Sequence, residues 1–425
     1  MAGPLKRYLF TPGPSPVPPV ARAAEGREMI HHNTPEYWEV VDGIRRGLGA
    51  VLGTRHEVLL LGATGTGAME AAVASLVGEG DRVAVVDAGK FGERWSEMCR
   101  LRGARVVPVR VEWGLAVDPE GVAAALAQNP GVRALFVTHA ETSTGALFDV
   151  AGLARVAHGA GALLVVDVIG SLGADEFRFD EWGVDCAVGA SQKGLMGPPG
   201  LSFAAVGPRA WEAMEGRRPG SYYLDLRLHR SRVSARKHLC TPPVSLARAL
   251  LASIEAVLAA GLDLHLRRAA ALARAVRRGL SALGLELFTR APLSSALTAV
   301  RVPSGMDSTA LLHHLHRRYG VTMANGLGQT RGRMVRIGHM GYCGGFDALA
   351  AVSALELGLA DLGWQGAPLG AGAAGVVEAL AGEPDLWGGP SSEPGVAGAS
   401  AQAPPVDAAP RGSGTPGPAR GGGLP

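Results

Sequence analysis

The 425-residue sequence has only four cysteines, Cys99, Cys186, Cys240 and Cys343, and they stand far apart. No C-x-x-C pair or metal-like cluster occurs, which argues against a disulfide framework or a structural zinc site and for a reducing, cytoplasmic setting. An excess of one charge sign is also missing: 41 basic residues face 38 acidic ones, for a formal net charge of +3. A nucleic-acid binder would concentrate a basic face or run, so no nucleic acid is expected as a partner. Long hydrophobic runs are absent too. No uninterrupted apolar stretch reaches the roughly 18 residues of a membrane span. The proline-rich N-terminus MAGPLKRYLFTPGPSPVPPV lacks the apolar core of a signal peptide. These absences predict a soluble protein with no membrane partner.

What is abundant is hydrophobic residues, at 47%, together with 61 glycines and 28 prolines. The apolar content can bury a large core, and the glycines and prolines follow no collagen-like period. They concentrate at the end of the chain, where about 25 of the last 60 residues are Gly or Pro. Residues 366–425 are therefore expected to be a disordered tail. Before it, the apolar runs VLLLG, RVAVVDAG, ALFVTHAE, ALLVVDV, DCAVGASQ and LSFAAVG alternate with helical patterns such as GAMEAAVASLVGEG and VAGLARVAHGAG. Strands that are apolar throughout and alternate with helices predict an α/β fold with a mostly parallel sheet covered on both faces. After TPPVSL the texture changes to long Ala/Leu/Arg helices and short strands, which predicts a smaller α+β domain. The expected division is an N-terminal arm over 1–20, a large domain over 21–245, a small domain over 246–365 and the tail.

Two places could carry chemistry. In LLLGATGTGAMEAAV an apolar strand enters a Gly/Thr turn, Gly62 to Gly67, and then a helix. Glycines let backbone approach an anion, and a helix N-terminus offers free N–H groups, so the turn suits a phosphate. A bare strand-to-helix turn fits as well. A dinucleotide site is a third reading, with Asp87 as the ribose acid, although Met69 and Glu70 follow Ala68 where a third glycine is needed. In the second place, Asp167 ends an apolar strand and Lys193 lies just past the next one, in SQKGLMGPPG. A buried strand-end carboxylate needs a cationic partner, and a lysine among small apolar residues is partly desolvated, which favours its free amine. Pyridoxal 5′-phosphate (PLP) chemistry uses both, since its aldehyde condenses with a lysine and its ring nitrogen pairs with an acid. His31, His32 and the histidines of LLHHLHRRYG lack partners at metal spacing, and no metal is expected.

The landmarks TPGP, GTGAMEAA, KFGERW, HAETSTG, VVDVIGSLGA, WGVDCAVGASQKGLMGPPG, TPPVSL and VRIGHMGY resemble, in order and spacing, the class V (fold type I) PLP-dependent aminotransferases. The alanine–glyoxylate and serine–glyoxylate branch is the nearest in pattern. The resemblance implies a large domain with a mostly parallel seven-stranded sheet, a small C-terminal α+β domain, and PLP as cofactor. It makes Lys193 the Schiff-base lysine and the mover of the proton between substrate Cα and the cofactor's C4′. It gives Asp167 the ring nitrogen, Thr64, Gly65, Thr66 and Gln192 the phosphate, and Phe91 and Thr142 the two faces of the ring. Arg336 would bind the substrate α-carboxylate, and Gly13 in TPGP would line the substrate pocket. His238 and Thr241 would reach the phosphate of the neighbouring subunit, which implies a homodimer with shared active sites.

The implied activity is transamination of a small L-amino acid, alanine or serine, with glyoxylate or pyruvate as the 2-oxo acid acceptor. An aspartate-using aminotransferase or a PLP-dependent lyase would use the same lysine and acid, with Arg331 or Arg333 available for a second carboxylate. An NAD(P)-dependent oxidoreductase would rest on GATGTG and Asp87 alone.

Overall fold

The computed structural model describes residues 6–218 and 220–383. A seven-stranded sheet runs in the order Glu57–Leu61, Ser202–Val206, Cys186–Ala190, Leu163–Asp167, Ala134–Thr138, Arg82–Asp87, Arg105–Arg110. Ser202–Val206 is antiparallel to both neighbours, and every other pairing is parallel. Strands such as LLVVD and ALFVT are buried at every position because helices cover both faces. Alternate residues supply two cores: Leu164 and Val166 face one, Leu163 and Val165 the other. The run RVVPVR, absent from the expected strands, forms the outermost one. Its Pro108 and flanking arginines disguise it, and an edge position tolerates proline because one side needs no ladder donor.

Parallel order sends the turns after Leu61, Asp87, Thr138, Asp167 and Ala190 to the same end of the sheet, where ligands bind in such folds. Helix Val244–Ala260 packs against Pro19–Glu25 and Pro35–Leu52, and its Ala247, Leu250 and Ile254 join the large-domain core. Gly47 allows this approach, since a Cβ there would come 2.4 Å from Ile254 Cγ2. A large domain ending at residue 245 leaves out a helix that packs with it.

The smaller part is built on a three-stranded antiparallel sheet, in which Met334–Gly338 lies between Leu297–Arg301 and Ala324–Asn325. Helices Leu262–Ala282, Ser308–Tyr319 and Gly345–Asp361 cover it around Leu280, Leu315, Ile337 and Val352. The N-terminal arm joins this part as well: Tyr8–Leu9 pairs in parallel with Val321–Thr322, and the Gly338 N–H donates to the Phe10 carbonyl at 2.8 Å.

Residues 371–380, expected to be disordered, form a helix instead. Its glycines are contact positions. At Gly375 a Cβ would lie 3.0 Å from the Gly279 Cα, and at Gly372 2.8 Å from Val352 Cγ1, so the helix packs closely on Leu262–Ala282 and Gly345–Asp361. Val376 and Leu380 are fully buried, and Glu378 pairs with Arg278 at 2.7 Å. Residues 384–425 of the expected tail lie outside the described residues. Among the described residues no single helix is long and apolar enough to cross a membrane.

Candidate active site

Asp167, the last residue of its strand, is 2% exposed. Its Oδ1 accepts the Ile169 N–H at 2.7 Å. Burial pushes its carboxyl up to about 7, with nearby Glu141 adding to the rise and the cations Lys193 and Arg94 opposing it. Lys193 follows the neighbouring strand, and its Nζ donates to the Pro12 carbonyl of the N-terminal arm. Burial brings its ammonium down to about 8; Asp167 resists that shift, while Arg336 and Arg94 add to it. The arm is fixed there by Ser15, whose N–H donates to the Gln192 carbonyl at 3.0 Å and whose Oγ donates to the Lys193 carbonyl at 2.8 Å. Gly13 has φ +111°, and a Cβ on it would come within 2.5 Å of Lys193 Nζ. Glycine is needed there for both conformation and space.

The Gly/Thr turn leads into helix Gly65–Leu76, with Thr64 as its N-cap. The Thr64 hydroxyl makes no capping bond, and Thr64 and Thr66 are exposed, which leaves the first-turn N–H groups open to an anion. Gly65 is buried, and a Cβ there would meet Ile169 Cδ1 at 2.6 Å. Phe91 starts the next helix, Lys90–Leu101. Thr142 lies in the turn between the short paired strands Ala140–Glu141 and Ala146–Leu147, with its Cγ2 2.6 Å from where a Gly170 Cβ would be. The Oε1 of Gln192 is buried and bonds no described residue.

Arg336 enters from the small sheet. It is 8% exposed, its Nε donates to the Asn325 carbonyl at 2.8 Å, and its Nη1 donates to the Thr142 carbonyl at 2.8 Å. Burial lowers its guanidinium to about 10, against the pull of Glu141. No described carboxylate lies within ion-pair distance of Arg336. A buried guanidinium hydrogen-bonded to neutral carbonyls has the chemistry to accept a carboxylate.

Two residues of this site were not anticipated. Glu141 is buried and accepts N–H bonds from Phe91 at 3.1 Å, Gly92 at 3.2 Å and Ser143 at 3.1 Å. It thereby ties the turn carrying Thr142 to the start of the helix carrying Phe91. Burial raises its carboxyl, and the bonds from Ser143, Gly92 and Phe91 oppose the shift. The HAETSTG motif contains it, but its partners lie some 50 residues upstream. Arg94 is the second; its Nη1 donates to Thr66 Oγ1 at 3.2 Å.

Other expected residues lie apart. The His238 ring stacks on Trp38, with centroids 4.4 Å apart, and its Nε2 donates to the His32 carbonyl at 3.0 Å. Thr241 is exposed. Within one chain neither joins the Lys193 cluster. Their segment does skirt the Gly/Thr turn, since Pro243 Cδ lies 3.3 Å from where a Gly62 Cβ would be. Arg331 and Arg333 are exposed ahead of the Arg336 strand and make no side-chain bond to the site. Asp87 ends its own strand, where burial raises its carboxyl.

The residues present fit a phosphorylated pyridine aldehyde. A desolvated lysine sits with a strand-end acid, a helix N-terminus with an uncapped Thr64 is open to an anion, and a buried arginine has no described carboxylate in ion-pair range.

The family profile described as aminotransferase class-V matches residues 8–343. A soluble hydrogenase small subunit from Synechococcus sp. is 39% identical over 88% of this chain and 98% of its own length. The L-aspartate–glyoxylate aminotransferase of Paracoccus denitrificans is 36% identical over 84% of this chain and 91% of its own. Among solved structures, an alanine–glyoxylate aminotransferase from Nostoc sp. superposes with a TM-score of 0.81 at 32% identity, covering 84% of this chain and 96% of that one.

Proposed function

The chain belongs to the class-V aminotransferase family and is a PLP-dependent enzyme, and we propose that it carries the amino group of a small L-amino acid, alanine or serine, to glyoxylate or pyruvate. One observation carries this reading: Lys193 lies near enough to both Asp167 and Arg336 for their charges to act on it, and Arg336 is a buried cation that has no described carboxylate in ion-pair range. When bound, the cofactor supplies the electron sink that makes the substrate's Cα–H bond labile.

The chain's own residues do the rest. Lys193 Nζ would hold the cofactor and, as a free amine, would carry the proton at the substrate's Cα. With its ammonium lowered to about 8, a useful fraction is free amine near neutral pH. Asp167 keeps a proton on the ring nitrogen. Phe91 and Thr142 would bracket the ring, and Glu141 ties together the two segments that carry them. Thr64, Gly65, Thr66 and Gln192 bind the phosphate. Arg336 orients donor and acceptor through the same carboxylate, so one pocket serves both half-reactions. The reading includes a homodimer in which His238 and Thr241 reach the neighbouring copy's phosphate. The exposure of Thr241, two residues before the Pro243 that skirts the Gly/Thr turn, supports it.

The test is a half-reaction screen. The PLP form is mixed with single amino acids, and the loss of its visible band is followed. Alanine or serine should convert it to the pyridoxamine form, and glyoxylate should restore the band. A second reading, aspartate as donor, is favoured by the name of the Paracoccus denitrificans relative. Conversion by aspartate but by neither alanine nor serine would establish it. Product release without a stable pyridoxamine form would instead indicate a lyase.

A further inference from the structure

We propose that Arg94 is the cationic partner of the cofactor's phosphate. It lies one turn after Phe91 on helix Lys90–Leu101, so both side chains share a face. Its guanidinium carbon stands 4.7 Å over the centre of the Phe91 ring. Its Nη1 reaches across to Thr66 Oγ1, in the first turn of the helix whose N-terminus forms the anion seat. Arg94 therefore bridges the two elements assigned to the ring and the phosphate.

Arg94 makes no ion pair among the described residues. On the same helix Glu93 is taken by Lys90, at 2.7 Å. No described carboxylate lies within ion-pair distance of Arg94, and its charge instead bears on Lys193 and Asp167. A phosphate monoester carries about −1.5 to −2 at neutral pH. A helix N-terminus offers roughly half a positive charge, and Thr64, Thr66 and Gln192 offer dipoles only. Arg336 is committed elsewhere, held by the carbonyls of Asn325 and Thr142. The remaining charge falls to Arg94, with Thr66 and the Phe91 ring holding the guanidinium in place. Charge-assisted hydrogen bonds of this type are among the stronger ones available to a protein.

This inference rests on the cofactor placement given above, and titration of the unmodified protein with PLP tests that placement separately. For Arg94 the probes are PLP and pyridoxal, which lacks the phosphate, titrated into cofactor-free protein. Both condense with Lys193, so their affinity ratio isolates the phosphate. Arg94→Met should lower the PLP-over-pyridoxal preference by roughly 10- to 100-fold through weaker PLP binding alone, the range expected for a hydrogen bond to a charged group. Unchanged pyridoxal binding would show at the same time that the variant is folded. Arg94→Lys should retain most of the preference. An unchanged ratio in Arg94→Met overturns the proposal, and a KM increase confined to dicarboxylic substrates would then assign Arg94 to the substrate. Equal losses for PLP and pyridoxal overturn it too, in favour of a purely architectural role.

Discussion

Asp167 and Arg336 are both buried charges on strands, yet their surroundings are opposite. Asp167 ends a strand of the large sheet among other charges, with Lys193 and Arg94 on one side of the balance and Glu141 on the other. Arg336 stands within a strand of the small sheet and bonds two neutral carbonyls, one of which, Thr142, belongs to the large part of the fold. The large-sheet end thus carries acids, cations and an anion seat that can balance a bound cofactor. The small sheet contributes a cation that has no described carboxylate in ion-pair range and that the proposed function assigns to the substrate.

Substitutions at the two ends should therefore fail in different ways. The largest effect is expected at Lys193. Lys193→Ala removes both the covalent anchor and the proton carrier, and turnover should fall by at least the roughly 10²- to 10⁴-fold typical of a lost general acid–base group. Borohydride should no longer fix the cofactor to the protein, which mass spectrometry reads directly. Full turnover in this variant would remove the basis of the mechanism. Arg336→Met should come next, with kcat/KM for donor and acceptor falling together by roughly 10- to 100-fold, as for a lost charge-assisted pair. Cofactor affinity should stay near that of the parent protein. Loss of PLP in this variant would break the contrast between the two ends.

Asp167→Asn tests the contrast through pH. Asp167's ordinary carboxyl value of 3.8 is raised to about 7 in the folded, cofactor-free protein. Between these values the folded state binds more protons than the unfolded one, so this group's contribution to stability is lost as pH rises from about 4 to about 7. Lys193 acts in the other direction: lowered from 10.5 to about 8, it makes stability rise with pH across that upper window. Thermal unfolding of cofactor-free protein should show both trends, and Asp167→Asn should flatten the lower one while retaining the upper. An unchanged slope between pH 4 and 7 in the variant would show that Asp167 is not the desolvated acid. Turnover of Asp167→Asn should fall by about 10-fold or more, since the ring nitrogen loses its ionic partner.

How far the sequence discloses this site depends on the distance between partners. Lys193 and Asp167 are legible because each is a charge set directly against an apolar strand, a conflict visible in one short window. Arg336 is legible through its motif, although its role is set by Thr142, 194 residues away. Glu141 and Arg94 sit inside motifs that were recognised, KFGERW and HAETSTG, yet nothing local marks them. Glu141 matters because, from its own short strand, it receives amides from helix Lys90–Leu101, and Arg94 because Thr66, 28 residues upstream, shares its bond. The parallel sheet follows from alternating apolar runs, except at Arg105–Arg110, where Pro108 and exposed arginines conceal the edge strand. His238 and Thr241 are expected to act on a neighbouring copy's phosphate, and within a single chain His238 lies against Trp38 while Thr241 faces solvent.

Glycine composition misleads most at residues 371–380, and the smallest effect on turnover is expected there. High Gly and Pro content normally signals an inability to bury apolar surface, but Gly372 and Gly375 are where one helix backbone nears its neighbours, and Val376 and Leu380 fill the core behind them. A chain ending at residue 383 should match the full-length protein in thermal stability and turnover. A chain ending at 366 loses the burial of Val376 and Leu380, on the order of 3–6 kcal/mol, and exposes Val352 and Leu283. Its melting temperature should drop while the bound-cofactor spectrum at room temperature stays unchanged, because the helix touches the small-domain core rather than the sheet end that holds Lys193. Equal melting temperatures for the two truncations would mean that the glycine contacts contribute nothing. A lost cofactor spectrum would mean that the small-domain core is needed to keep the large-domain end of the site in place.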